Sequence, residues 1–270
     1  MPVNAVARSP DGIPIHFDAD GSAEPTLVFV HGWSCDRTYW APQMRAFAPR
    51  HRVVAIDLAG HGESGTGRSS WTIPAFGADV VAVADQLGLT DAVLVGHSMG
   101  GDVIIEAALT LGNRVRGVVS VDTYRTLDDH TSPEEVHEFV ESFRADFATD
   151  VHAFVRTMFG SSSDPELVER VAADMASAPP NIALDALGHA VSNGAAFAAG
   201  VRRLLVPVVS ITPDYVPTDE VSLRRHGLRP LILSDTSHFL MMEAPDRFNA
   251  LLDDVVAAIV DSRPLRSSID

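Results

Sequence analysis

The sequence predicts an α/β fold, a mostly parallel sheet of about eight strands with helices on both faces. Three observations carry that expectation. Short, mostly apolar runs at residues 26–30, 53–56, 92–95 and 115–121 have the length and β-branched content of buried strands. Between them, residues 40–48, 73–87 and 101–111 carry apolar side chains at helical spacing. The two types alternate, as parallel neighbours require, because each must be joined by a crossover about as long as a helix.

In chain order, residues 3–7 and 13–17 flank Asp11-Gly12, a turn dipeptide that favours an antiparallel hairpin. The parallel units follow. From Tyr124 to about Val201 the strand rhythm gives way to helical segments, the first opening at Pro133-Glu134-Glu135. Phe139, Phe143 and Phe147 fall on one helical face there, and Phe154 and Met158 repeat the spacing. Most of that surface is expected to pack on the sheet, and some to meet substrate and exclude water. Pro179-Pro180 divides the region, and the Ala/Gly-rich residues 194–200 read as a return linker. Strands at 206–212 and 230–233 come next. Pro245 then opens a helix with Phe248, Leu251, Leu252, Val255, Val256 and Ile259 on its packing face, and the polar tail from Asp261 reads as a frayed end. The expected organisation is a core of residues 1–123 and 202–270 with a helical cap of residues 124–201.

A chain of 270 residues is long enough for one such domain and its cap. The net charge of −16 argues against nucleic acid or an anionic membrane as partner, since phosphate binding needs clustered Lys and Arg. Cys35 is the single cysteine, which excludes an intrachain disulfide or a thiolate metal cluster and suits a reducing compartment; its default reading is a small loop or core residue. No basic stretch leads into an apolar segment near Met1, and no apolar run approaches the roughly 18 residues that span a bilayer. The expectation is a soluble, cytoplasmic protein with no metal and no cofactor, whose oligomeric state the sequence leaves open.

Four segments carry chemistry. Gly96-His97-Ser98-Met99-Gly100 lies between a strand and a helix and reads as a nucleophile elbow, where glycines let the two backbones approach and the serine is held strained with its hydroxyl above the sheet. His31-Gly32-Trp33 follows the strand at 26–30, where a loop can aim backbone N–H groups at an oxyanion; the expected donors are Trp33 and Met99, each worth about 3 kcal/mol in the transition state. The segment from Asp57 to Ser64 follows the next strand, and Ser237-His238-Phe239-Leu240 supplies a late histidine. Serine comes first, histidine last.

Together these segments resemble the α/β-hydrolase superfamily, and the likeness runs through nearly the whole chain. It implies a serine hydrolase in which Ser98 is the nucleophile, His238 the general base, and a carboxylate fixes the imidazole. The sequence departs from the family at that carboxylate. Members usually carry it after the strand that follows the cap, in a Gly-x-x-Asp loop, whereas here the strand runs into Pro213-Asp214-Tyr215-Val216-Pro217. Asp214 is the preferred acid, as the first carboxylate after that strand. Asp122, at the end of the strand at 115–121, is the rival, and Asp219 a weaker third. Either rival could instead cap a turn.

Serine at the elbow argues against the dehalogenase and epoxide hydrolase reactions of the superfamily, which need aspartate there. The expected activity is hydrolysis of carboxylic esters or lactones of small to medium uncharged substrates. Carbon–carbon bond hydrolysis and cofactor-free perhydrolysis use the same machinery, and a hydrolase-fold ligand receptor with little turnover is the reading from another class. His31 and His61 are expected to organise hydrogen bonds and His97 to hold the elbow. His51, His130, His137, His152, His189 and His226 lack metal-ligand spacing and read as surface residues.

Overall fold

The computed structural model describes residues 2–129 and 131–261, so His130 and the tail beyond Asp261 lie outside the described residues. Eight strands form one sheet: β1 (Val3–Arg8), β2 (Pro14–Asp20), β3 (Thr26–Val30), β4 (Val53–Ile56), β5 (Ala92–His97), β6 (Val115–Val121), β7 (Val208–Pro213) and β8 (Arg229–Leu233). Their order is β1-β2-β4-β3-β5-β6-β7-β8. Only the β1/β2 and β2/β4 pairs are antiparallel, as the Asp11-Gly12 hairpin anticipates. Every residue of β3, β4 and β5 is buried, which is why they read as mostly apolar runs rather than alternating ones.

Helix α1 (Ala41–Phe47) joins β3 to β4, α2 (Ile73–Gln86) joins β4 to β5, and α3 (Met99–Leu111) joins β5 to β6. Right-handed crossovers fix where they lie. The chain moves one way across the sheet from β3 to β4 and the other way from β4 to β5 and from β5 to β6. Helix α1 therefore covers one face, and α2 and α3 pack together on the other. The reversal leaves a crevice at the carboxyl ends of β3 and β5, the usual ligand position of open α/β sheets.

Five helices lie between β6 and β7: α4 (Pro133–Glu141), α5 (Phe147–Arg156), α6 (Pro165–Ala176), α7 (Pro180–Val191) and α8 (Gly194–Arg203). Helix α4 opens with a capping box between Ser132 and Glu135 and with Pro133 at its first turn, so the start signal read from the sequence operates here. The Pro179-Pro180 pair separates α6 from α7. The Ala/Gly-rich stretch is a correction: residues 194–203 form α8 rather than a linker. Four alanines supply helix propensity, and Phe197 and Val201, one turn apart, are both buried. Two short helices, α9 (Glu220–Arg225) and α10 (Leu240–Glu243), precede α11 (Pro245–Asp261), which buries all six apolar residues expected of it. No helix among the described residues is long and apolar enough to cross a membrane.

Candidate active site

Strand β5 ends at His97 and α3 begins at Met99, which leaves Ser98 alone at the bend with φ of 51° and ψ of −123°. That left-handed backbone is costly for a residue with a Cβ and persists only where its surroundings impose it. The Ser98 N–H donates to the Val121 carbonyl at 2.8 Å, and the Gly101 N–H returns to the Ser98 carbonyl at 2.8 Å. Two glycines allow close approach here, Gly100 most tightly. A methyl group on Gly100 would stand 2.5 Å from the carbonyl oxygens of Val30 and His31, and one on Gly32 would stand 3.2 Å from the Ser98 Cβ. The end of β3 is thereby pressed against the elbow. The Met99 N–H opens a helix and has no intrahelical acceptor. Trp33 is buried, and its indole N–H donates to the Ala183 carbonyl of α7 at 2.7 Å, tying the loop to the inserted helices.

At the neighbouring strand end, Asp122 follows β6 with φ of 47°, and its N–H donates to the Ile211 carbonyl at 2.9 Å. Its carboxylate is buried and accepts from His238 Nδ1–H, with Oδ2 at 2.7 Å. Nδ1 therefore carries a proton, and Nε2 is left as the basic nitrogen. The His238 backbone is held at both ends. Its N–H donates to the Met158 carbonyl at 3.2 Å, and its carbonyl accepts from His97 Nε2–H at 2.9 Å. Asp214, by contrast, is exposed just past the end of β7 and lines a surface cavity with Ser161, Asp164, Asp235 and Glu243. Asp219 caps α9, accepting from the Ser222 N–H at 2.9 Å. Of the three carboxylates weighed from the sequence, the one in hydrogen-bond contact with His238 is Asp122.

A family model described as the alpha/beta hydrolase fold matches residues 25–170, over half of the chain. The chain belongs to the alpha/beta hydrolase fold family. Among relatives of this chain is the dihydrolipoyllysine-residue acetyltransferase component of the acetoin cleaving system of Cupriavidus necator. It is 28% identical over 256 residues that cover 90% of the chain but only 66% of that protein. The 3-oxoadipate enol-lactonase 2 of Acinetobacter baylyi is 25% identical over 258 residues, 90% of the chain and 93% of the relative. In structure, a thermophilic esterase from Thermogutta terrifontis superposes with a TM-score of 0.80 at 22% identity, covering 96% of the chain and 99% of the esterase, a likeness of fold.

His31, His61 and His97 are all buried and hydrogen-bonded. Burial lowers His31 to about 4 and His61 to about 3, and holds His97 well below the usual imidazole range, so all three are neutral. His31 accepts from the Leu58 N–H at 3.0 Å and donates to the Gly32 carbonyl at 2.8 Å; His61 donates to the Ala59 carbonyl at 3.0 Å. They brace the loops after β3 and β4 against each other. Asp57 does the same with charge, accepting from the Arg37 and Glu63 N–H groups at 2.7 and 2.8 Å and pairing with the Arg37 guanidinium. Cys35 is buried. Among the described residues no group of three or more His, Cys, Asp or Glu is arranged to hold a metal ion.

Three further groups beside these loops were not anticipated. Arg125 pairs with Asp122 through its Nε at 2.9 Å, a contact foreshadowed only by the three-residue spacing. Glu243 accepts from the Ser237 N–H at 2.7 Å and hydroxyl at 2.6 Å, and also from the Ser163 hydroxyl, so it fastens the residue before His238 to the inserted region. Asp102, in the first turn of α3, accepts from the Tyr124 hydroxyl at 2.9 Å and the Asn193 amide at 2.7 Å. Burial pushes the Asp102 carboxyl up to about 7.

Proposed function

We propose that this protein is a serine hydrolase that cleaves carboxylic esters or lactones of small to medium uncharged substrates through an acyl-enzyme. The observation that carries the reading is the 2.7 Å contact between His238 Nδ1 and Asp122 Oδ2, made at the strand ends beside the strained Ser98. Ser98 Oγ adds to the substrate carbonyl while its proton passes to His238 Nε2. The imidazolium so formed is stabilised by Asp122, which also keeps the productive tautomer. The carbonyl oxygen becomes an anion and takes hydrogen bonds from the Trp33 and Met99 N–H groups. Collapse expels the alkoxide, which receives the proton from His238 and departs as the alcohol. Water then repeats the cycle against the acyl-enzyme, releasing the acid and restoring Ser98.

Residues 124–201 act in this reading as a cap over the crevice. Phe143 and Phe147 approach the Trp33 ring at centroid distances of 6.2 and 6.4 Å, and Phe139, Phe143 and Phe154 meet edge to face at 5.2 to 5.5 Å. An apolar aromatic wall next to the oxyanion loop favours uncharged substrates and keeps water from the acyl-enzyme. The names of the enol-lactonase and esterase relatives support the ester or lactone class. The Asp122 partner of His238 supports turnover over the alternative of a hydrolase-fold ligand receptor. The test is covalent labelling with a fluorophosphonate followed by peptide mass analysis. The adduct is expected on Ser98, and its absence there, with folded protein, would overturn the reading.

A further inference from the structure

We propose that Arg125 is a positioning residue for this hydrolysis, one that sets the rotamer of Asp122 and locks the loop after β7 against it; the inference rests on the reading of Asp122 as the partner of His238. The guanidinium meets the carboxylate through one hydrogen bond, Nη2 to Oδ2 at 3.1 Å, and an ion-pair contact of Nε with Oδ1 at 2.9 Å. Its remaining nitrogen, Nη1, donates to the Pro213 carbonyl at 2.9 Å, the Val216 carbonyl at 2.8 Å and the Thr218 hydroxyl at 3.2 Å. The plane lies 4.9 Å from the Tyr215 ring centroid, and the Arg125 carbonyl accepts from the Asp219 N–H at 2.9 Å. One side chain thus binds the end of β6 to the whole turn after β7.

The geometry explains why a fork is needed. A carboxylate held only by one imidazole can rotate about its terminal torsion and carry Oδ2 away from the ring, since such torsions are soft. The Nη2 hydrogen bond to Oδ2, with the Nε charge against Oδ1, opposes that rotation and keeps Oδ2 turned toward His238 Nδ1. A lysine supplies the charge as a point and cannot impose the plane. The charge itself works against the reaction, because a cation beside Asp122 opposes the imidazolium that forms during attack. Orientation and charge therefore pull in opposite directions, and the sign of the effect on removing Arg125 tells which dominates. Misplacement of a reacting group by about 1 Å costs up to about 100-fold, which gives orientation the larger share.

The experiment compares wild type with Arg125→Lys, Arg125→Met, Asp122→Asn and the Asp122→Asn/Arg125→Met double variant. The readouts are kcat and KM on a chromogenic short-chain ester, and the rate of fluorophosphonate labelling at Ser98. Both arginine variants are expected to lose about 10- to 100-fold in kcat and in labelling rate, with KM changed less than about twofold. The double variant is expected to be no slower than Asp122→Asn alone, because the arginine acts through that carboxylate. Thermal melts report folding, and Arg125→Lys carries the test if Arg125→Met does not fold. Arginine variants as fast as or faster than wild type, with Asp122→Asn severely impaired, overturn the inference and leave the hydrolase reading intact. A double variant that loses the product of the two single effects also overturns it, as a general scaffold role would. Wild-type rates in Asp122→Asn overturn the underlying reading itself.

Discussion

The loops after β6 and β7 each carry an aspartate at the same edge of the sheet, yet the two carboxylates have opposite surroundings. Asp122 is buried, sits in a left-handed conformation and is held by His238 and Arg125. Asp214 stands exposed beyond Pro213, in a turn whose carbonyls are taken up by Arg125. The comparison teaches that topology supplies several carboxylates to a hydrolase edge, and that burial and a second partner decide which one can orient a base.

The largest expected effect tests that contrast directly. Asp122→Asn should reduce kcat on a reactive ester by about 10⁴-fold, since an amide favours the wrong imidazole tautomer, while Asp214→Asn should stay within about twofold of wild type. Steady-state kinetics on both folded variants measures it, and the reverse ranking would break the comparison. A smaller effect is expected one step away from the base. Glu243→Gln weakens the clamp on Ser237, and kcat should fall about threefold to tenfold with little change in KM, read in the same assay.

The smallest effect concerns stability at another buried aspartate, Asp102. Asp102 has its carboxyl raised to about 7 by burial, from an ordinary value of 3.8. Its contribution to stability is full below the ordinary value and is lost as pH rises through about 7, because the unfolded chain sheds the proton first. Asp102→Asn cannot ionise and keeps an acceptor for Tyr124 and Asn193. Relative to wild type, its melting temperature should therefore rise by about 3 °C or more between pH 5 and pH 8. Thermal melts at the two pH values sharpen the contrast with Asp122, whose carboxylate has a cation beside it while Asp102 has two neutral donors.

The strands were legible because doubly covered parallel strands must be apolar at nearly every position, and β3, β4 and β5 have no polar alternation to confuse them. Ser98 and His238 were legible because the elbow and the terminal strand loop place their own residues locally. The choice between Asp122 and Asp214 was not, since each follows an apolar strand and only contacts across more than a hundred residues of chain tell them apart. Helix α8 escaped because glycines at both ends of an alanine run look like a linker until Phe197 and Val201 find a surface to pack on. Arg125 escaped for a similar reason: its acceptors are backbone carbonyls near residue 215, which carry no side-chain signature.

The amide of His238 donates to Met158, Phe159 stacks on Phe239 at 5.0 Å, and Ser163 shares Glu243 with Ser237. Residues 158–163 thus hold the segment around His238 from the region between β6 and β7. Anyone exchanging the helices between β6 and β7 would have to transplant around that stretch, because replacing it takes away the supports of the His238 imidazole.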